Sequence, residues 1–338
     1  MQHKTMTIQE VARLAGVSVA TVSRVLNNSP LVKDNTRAKV MDVIQKFDYQ
    51  PNLLGRDLRR SETMKVLVLT PTLERPIVAD IVQGMEDRGK KDGYYVLVCP
   101  TSNNADRERE LLRMLQNRLA DGVIVIYSTL SKEELSALGQ KHSIVQCLEF
   151  VDASYTCSVS IDDEQAAFDA VSHLVEQGHR RIALIAGSPL VHSTRLREQG
   201  YRRALEYYAI PFREEWVKYG DYGHEHAESL MNELMKLPEP PTGIFCMSDN
   251  MGIGCINAIH KAGLRVPEDM AVIGFDNTRE ATMALPELTT VHQPKYELGQ
   301  TAMQLLIHNM TSSDKSYEKA ILPHELIVRA STAAKATE

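Results

Sequence analysis

The sequence predicts an all-α helix-turn-helix head followed by a body of two α/β lobes, each built on a parallel sheet. Three observations predict it. Residues 7–47 place apolar side chains at helical spacing, with helix-starting and helix-stopping residues between them. From residue 64 onward, short runs rich in Val, Ile and Leu alternate with helical stretches, and the pattern repeats to give two similar sets. Charge divides the chain in the same place. Residues 1–60 hold ten Lys and Arg against five Asp and Glu, a net +5 in a chain of −6, which leaves −11 on the body. A basic head on an acidic body suits contact with phosphates through the head alone, although solvated surface charge also accounts for any single lysine.

In the head, Thr7 with Glu10 makes a capping box, and Ile8, Val11 and Ala12 share one face of the helix it starts. Gly16 stops that helix and Val17 plugs the corner. Ser18 caps a second helix whose inner face carries Val22, Val25 and Leu26. A third runs from Asp34 to about Phe47, with Val40, Ile44 and Phe47 expected inward. Two short helices around a glycine turn form the helix-turn-helix pattern, whose second helix enters the DNA major groove; an ordinary helical hairpin has the same spacing. The outward positions of the second helix begin Val19, Ala20, Thr21, Ser23, Arg24. Small apolar groups suit thymine methyls and Arg24 suits guanine, whereas Thr21, Ser23 and Asn27 suit phosphate oxygens.

Residues 51–62, PNLLGRDLRRSE, read either as a basic linker or as a helix of two turns. Pro51 fits a first helical turn, but a helix this short is marginal in water and Gly55 costs it about 1 kcal/mol more. The body then alternates. Strands are expected at 65–71, 94–100, 121–127 and 143–150 in the first set, and at 180–187, 217–222, 243–249 and 270–276 in the second. Helices are expected at about 78–92, 107–118, 131–140, 195–208 and 224–237, with one ending at Gly263.

The stretch VARLAGVSVATVSRVLNN, with Thr36-Arg37 and Tyr49-Gln50-Pro51-Asn52, resembles the DNA-binding head of the LacI/GalR family of bacterial repressors. The body carries similar family signatures at 121–122 (DG), 177–187 (QGHRRIALIAG), 266–277 (VPEDMAVIGFDN), 288–294 (LTTVHQP) and 326–332 (LIVRAST). The resemblance implies base readout by Val19, Ala20 and Arg24, and backbone contacts by Thr7, Ser23, Asn27, Thr36, Tyr49 and Asn52. It implies that 51–63 form a hinge helix on DNA, with Leu58 wedged between base pairs from the minor groove and Arg56, Arg59 and Arg60 on the backbone. It implies a periplasmic-binding-protein-like body with one lobe from 64–160 and 293–322, and the other from 161–292 and 323–334, behind a head at 5–50. It also implies a homodimer meeting through the helices near 78–92 and 249–263 on a palindromic operator.

Ligands of open α/β sheets bind at the carboxyl ends of the strands, and the cleft between the lobes collects those ends. Candidates by position are Arg75, Ile77 and Val78 after the first strand, Tyr127, Asp249, and Arg195 and Arg197 at the start of a helix. The resemblance adds roles for Arg197, Asp276 and Phe245 in holding effector hydroxyls, and plain strand core is the alternative for Phe245. A guanidinium and a carboxylate facing one cleft suit neighbouring hydroxyls. Where relatives carry aromatic rings, this chain has Arg75-Pro76-Ile77-Val78. Arg75 there is either a solvated loop side chain or a contact for an anionic group. A sugar-like effector is expected. Similarity of GRDLRR, LPEPPTGIFCMSD and QPKYELG to a nucleoside-responsive branch keeps a nucleoside open, and a phosphorylated metabolite remains a further alternative. A small-molecule sensor controlled by a protein partner is the competing functional class.

Five cysteines, at 99, 147, 157, 246 and 255, show no CxxC spacing, which predicts reduced thiols in a cytoplasmic protein rather than disulfides or metal ligands. No run reaches membrane length, and no nucleophile elbow, Walker loop or H-E-x-x-H motif occurs. No enzyme activity, cofactor, metal or membrane association is therefore expected.

Overall fold

The computed structural model describes residues 6–26, 29–49 and 62–332, which fall into two compact units dividing at Glu62–Thr63. Among the described residues, the head holds α1 (Ile8–Ala15), α2 (Val19–Leu26) and α3 (Asp34–Lys46). The Thr7–Glu10 capping box forms in both directions, and Gly16 ends α1 with φ of 66°, a left-handed turn that glycine adopts without steric cost. Ser18 Oγ accepts from the Thr21 amide at the start of α2. Val11, Ala12, Val22, Val25, Val32, Val40, Val43 and Tyr49 form the head core. One expectation fails here. Phe47 is 46% exposed, because α3 ends at Lys46 and the inward positions of its last turns fall to Val43 and to Tyr49 beyond.

The body begins with β1 (Lys65–Thr70), α4 (Pro76–Lys91), β2 (Tyr95–Pro100), α5 (Ala105–Gln116), β3 (Gly122–Val125), α6 (Lys132–Gly139), β4 (Ser143–Cys147) and β5 (Cys157–Ile161). The second lobe follows with α7 (Asp163–Glu176), β6 (Ile182–Ala186), α8 (His192–Tyr207), β7 (Val217–Tyr219), α9 (His224–Met235), β8 (Gly243–Cys246), α10 (Asp249–Lys261), β9 (Ala271–Asp276), α11 (Arg279–Met283) and β10 (Thr289–His292). The chain then returns through α12 (Lys295–Thr311) and β11 (Lys319–Leu322), and ends with β12 (Glu325–Ile327).

The sheet orders are β11-β5-β4-β3-β1-β2 and β12-β10-β9-β8-β6-β7. Each lobe thus repeats one order, its second strand lying outside its first, and reverses direction between β1 and β3 or between β6 and β8. Strand pairs are parallel except β12, which runs antiparallel on β10. Each sheet is covered on both faces by helices, giving two apolar clusters per lobe, as buried parallel strands require. Helices pack closely where glycines remove side chains. A Cβ on Gly299 of α12 would lie 1.9 Å from the Ile81 carbonyl of α4, and one on Gly200 of α8 would lie 2.1 Å from the Glu164 carbonyl of α7. The chain passes between the two sheets after β5, after β10 and after β11.

Candidate functional site

On the head, Ala20 and Arg24 are exposed on α2, with Thr21 and Ser23 half-buried beside them. Val19 turns partly onto the head core. Thr7 is exposed and engaged with Glu10, while Thr36 sits half-buried in the first turn of α3. Tyr49 is 7% exposed, so its ring serves the head core. Asn27, Asn52 and Leu58 lie outside the described residues.

In the body, the carboxyl ends of both sheets face one cavity of about 380 Å³. The lobe carrying β1 contributes Arg75, Pro76 and Ile77 from the β1–α4 turn and Glu149 beyond β4. The lobe carrying β6 contributes Ser193 and Arg197 from α8, Tyr222 beyond β7, Ser248 beyond β8, and Asp276 at the end of β9. Gln293, on the strand crossing after β10, completes the wall. The cavity therefore sits where the strand order of each lobe favours ligand binding.

Arg197 is 4% exposed. Its Nε donates to Asp163 Oδ1 at 2.8 Å, its Nη1 donates to the Met247 carbonyl at 2.7 Å, and the guanidinium lies 3.6 Å from the centroid of the Phe275 ring. A buried charge paired and bonded in this way is held in one place. Asp276 has φ of 109°, a backbone conformation that residues with side chains rarely adopt. Lys295 Nζ donates to its carbonyl at 2.8 Å, and Gln293 Nε2 donates to its Oδ1 at 2.7 Å. Burial raises the Asp276 carboxyl above its ordinary range, against the pull of Arg197.

Of the predicted effector residues, the structure brings together Arg75, Ile77, Arg197 and Asp276 in this cavity. The other five are placed differently. Phe245 is fully buried in β8, and its ring centroid lies 6.4 Å from that of Phe275 inside the core. Val78, in the first turn of α4, is 4% exposed and packs into the core beneath that helix rather than lining the cavity. Asp249 is fully buried, accepting from Thr290 Oγ1 at 2.5 Å and the Thr278 amide at 2.6 Å; it braces the β9–α11 turn rather than facing the cavity. Tyr127 and Arg195 line a separate hollow of about 70 Å³. Arg195 there donates to the carbonyls of Pro189 and Leu190.

Glu149, Ser193, Tyr222 and Gln293 were not anticipated. β4 stops at Cys147, and Leu148 adopts φ of 75°, which turns the expected strand into a bend and carries Glu149 into the cleft. The Glu149 carboxylate accepts from the amide and hydroxyl of Ser193 at the start of α8, so it ties one lobe to the other. Burial pushes its pKa up to about 7, opposed by those Ser193 hydrogen bonds. A carboxylate at the end of a mainly apolar run was the available signal for it. Arg75 is exposed, with its guanidinium 4.7 Å from the centroid of the Tyr222 ring. Among the described residues, no three His, Cys, Asp or Glu side chains group as a metal site, the five cysteines are free, and no helix is long and apolar enough to cross a membrane.

A helical head presenting Ala20 and Arg24 on its second helix, and a two-lobed body with a polar cavity, define a small-molecule-binding module joined to a DNA-reading one. Comparison with known proteins agrees. Residues 7–52 match the model of the bacterial regulatory proteins, lacI family, and residues 171–332 match the periplasmic binding protein-like domain. The chain is 37% identical to catabolite control protein A of Priestia megaterium, across 97% of this chain and 99% of that protein. It is 35% identical to the HTH-type transcriptional repressor CytR of Escherichia coli K12, across 98% of each. The structure of the lac repressor dimer bound to operator and the anti-inducer ONPF aligns with a TM-score of 0.88 at 27% identity, covering 98% of this chain and all of that one. A complex of the transcriptional regulator CelR with cellobiose aligns at 0.74 and 30% identity, covering 96% and 99%. The chain belongs to the lacI family of bacterial regulatory proteins and is a DNA-binding regulator of transcription.

Proposed function

We propose that the protein is a cytoplasmic repressor that binds a palindromic operator as a homodimer and changes its DNA affinity when a small hydroxylated effector, sugar or nucleoside, enters the cleft. The observation that carries this reading is the cavity itself: a buried guanidinium and a half-buried carboxylate, Arg197 and Asp276, face one space at the carboxyl ends of two sheets. Charge-assisted hydrogen bonds from such a pair suit adjacent hydroxyls. Ala20 and Arg24, with Val19 beside them, read bases. Thr7, Thr21, Ser23, Asn27, Thr36, Tyr49 and Asn52 lie along the backbone, and Leu58 supplies the minor-groove wedge.

One head reads only a few base pairs, so two heads on a two-fold site supply the specificity. The dimer meets through α4 and α10. An effector shifts the equilibrium between lobe arrangements only by its differential affinity for them, typically about 1–3 kcal/mol of coupling. The domain limits that go with this reading are 5–50 for the head, 51–63 for the hinge, 64–160 with 293–322 for one lobe and 161–292 with 323–334 for the other.

The test is selection of binding sites from a random duplex pool. The expected product is a palindrome, with binding weakened by Leu58→Ala and with Arg24→Ala costing about 1–3 kcal/mol at one base pair per half-site. Recovery of no two-fold site, or binding by both variants equal to wild type, would contradict the reading. Purification in a stable complex with another protein that is required for any DNA binding would favour the partner-controlled sensor instead.

A further inference from the structure

The Asp121-Gly122 pair, read in the sequence only as a signature, stands at the amino end of β3, away from the cavity at the carboxyl ends of the strands. Its carboxylate holds the chain at the point where the two compact units divide. Asp121 Oδ1 accepts from the Thr63 amide at 2.8 Å and from the Thr63 hydroxyl at 3.0 Å, and its Oδ2 accepts from the Met64 amide at 2.7 Å. The Asp121 amide in turn donates to the Lys65 carbonyl at 2.9 Å, so the clamp is built into the β1–β3 edge itself. Bonds from backbone amides to an ionised carboxylate are stronger than those to a neutral acceptor.

The clamp holds an unusual conformation. Met64 has φ of 54°, a left-handed backbone that residues with side chains rarely adopt and that persists only where neighbours enforce it. Its amide is held by Asp121, its carbonyl accepts from the Tyr95 amide at 2.8 Å, and its side chain packs against the core of the lobe. The chain from the head therefore joins β1, which lies between β3 and β2, through a bend of fixed direction. Gly122 brings a second element to the same place. A Cβ there would lie 2.7 Å from Met310 Sδ and 2.9 Å from Leu306 Cδ1, both on α12, the helix by which the chain returns after β10. Residues adjacent in sequence thus touch the incoming linker and the helix that follows a crossing between the sheets. Coupling between distant sites travels through packed contacts of this kind.

We propose that Asp121 is a positioning residue for DNA binding: acting through Thr63 and Met64, it sets the direction in which the linker leaves the body. The inference rests on the operator reading and on no assignment of the cleft's ligand. Two heads on one two-fold site bind far more tightly than one only where their tethers suit simultaneous engagement. A linker released at residue 63 weakens that joint engagement and leaves each head intact.

The test uses the full-length protein and two probes: a duplex that the wild type selects from a random pool, and the unselected pool at the same salt concentration. Asp121→Asn keeps the shape of the side chain but presents an amide group to the donors of Thr63 or Met64. The expected result is a loss of at least about tenfold in affinity for the selected duplex, with affinity for the unselected pool unchanged. Amide exchange at Thr63 and Met64 should quicken while that of Leu67 to Leu69 in β1 stays the same. Thr63→Ala, which keeps the carboxylate and removes one of its donors, should show a smaller loss in the same direction. Glu108→Gln is the control. Its carboxylate likewise holds a backbone amide and hydroxyls, those of Ser128 and Thr129, but no linker, so selected binding should match wild type. Wild-type affinity for the selected duplex in Asp121→Asn, equal losses on both probes, or the same loss in Glu108→Gln overturns the inference. A wild type that selects no duplex overturns the operator reading and the inference with it.

Discussion

The two lobes repeat one strand order and one style of helix packing, yet they furnish the cavity differently. The lobe built on β6–β10 offers side chains fixed before any ligand arrives: Arg197 is 4% exposed and held by Asp163 and Met247, and Asp276 is held through both its carbonyl and its carboxylate. The lobe built on β1–β5 offers exposed groups on a turn, Glu74, Arg75 and Pro76, with Arg75 at the helix N-cap making no side-chain capping bond. On that side Ile77 is buried, and Thr72, Leu148 and Glu149 are half-buried. A common scaffold thus yields a prepared wall and an adjustable cover. Fixed groups reduce the ordering cost of binding, while the cover supplies the motion through which occupancy changes lobe arrangement.

The largest expected effect falls on the wall. Arg197→Ala leaves Asp163 buried without its partner, so urea unfolding should show a loss of about 3–5 kcal/mol along with abolished ligand binding. A loss below about 1 kcal/mol would mean that the pair is not the anchor described. The packing comparison comes next. Gly299→Ala and Gly200→Ala each force a Cβ against a carbonyl of the neighbouring helix, so both should cost about 1–3 kcal/mol. Similar losses in the two lobes would confine the asymmetry to the cavity; a large difference would extend it to the scaffolds.

Protonation gives a smaller effect. Glu149 has its pKa raised from 4.5 to about 7, so the folded state binds its proton more tightly than the unfolded chain does. Its contribution is fully present below pH 4.5 and is lost as pH rises through about 7. Thermal melts of wild type and Glu149→Gln should therefore diverge across that window, with wild type losing stability relative to the variant as pH rises. Parallel curves would show that the carboxyl is not strained by burial. Arg75→Ala, at the exposed rim, should change unfolding stability by less than about 0.5 kcal/mol.

Much of the architecture was legible in the sequence because the signals are local. Capping by Thr7, the stop at Gly16, the apolar runs of β1, β3, β6 and β9, and the charge division all depend on neighbours a few residues away. β5 was not legible: CSVSI is short and two of its five residues are serine, yet every residue of it is buried. In the site, Arg197 and Asp276 could be placed because strand ends and helix starts mark the cleft. Phe245, Val78 and Asp249 lie beside such ends but point into the core or the turn, and sequence position does not distinguish these directions. Gln293 was hidden for another reason. Its place in the wall comes from its bond to Asp276, 17 residues away, a pairing that only the fold creates.

The claim of a prepared wall and an adjustable cover is tested most directly by amide hydrogen exchange on the ligand-free protein. The Asn277 and Thr278 amides bond to Thr290 and Asp249 in the wall, whereas the Glu74 amide bonds to the hydroxyl of its own turn at Thr72. The account expects peptides spanning 274–278 and 193–200 to exchange at least about 100-fold more slowly than those spanning 72–77, because opening the wall breaks buried bonds and opening the cover does not. Equal rates, or faster exchange in the wall, would contradict it.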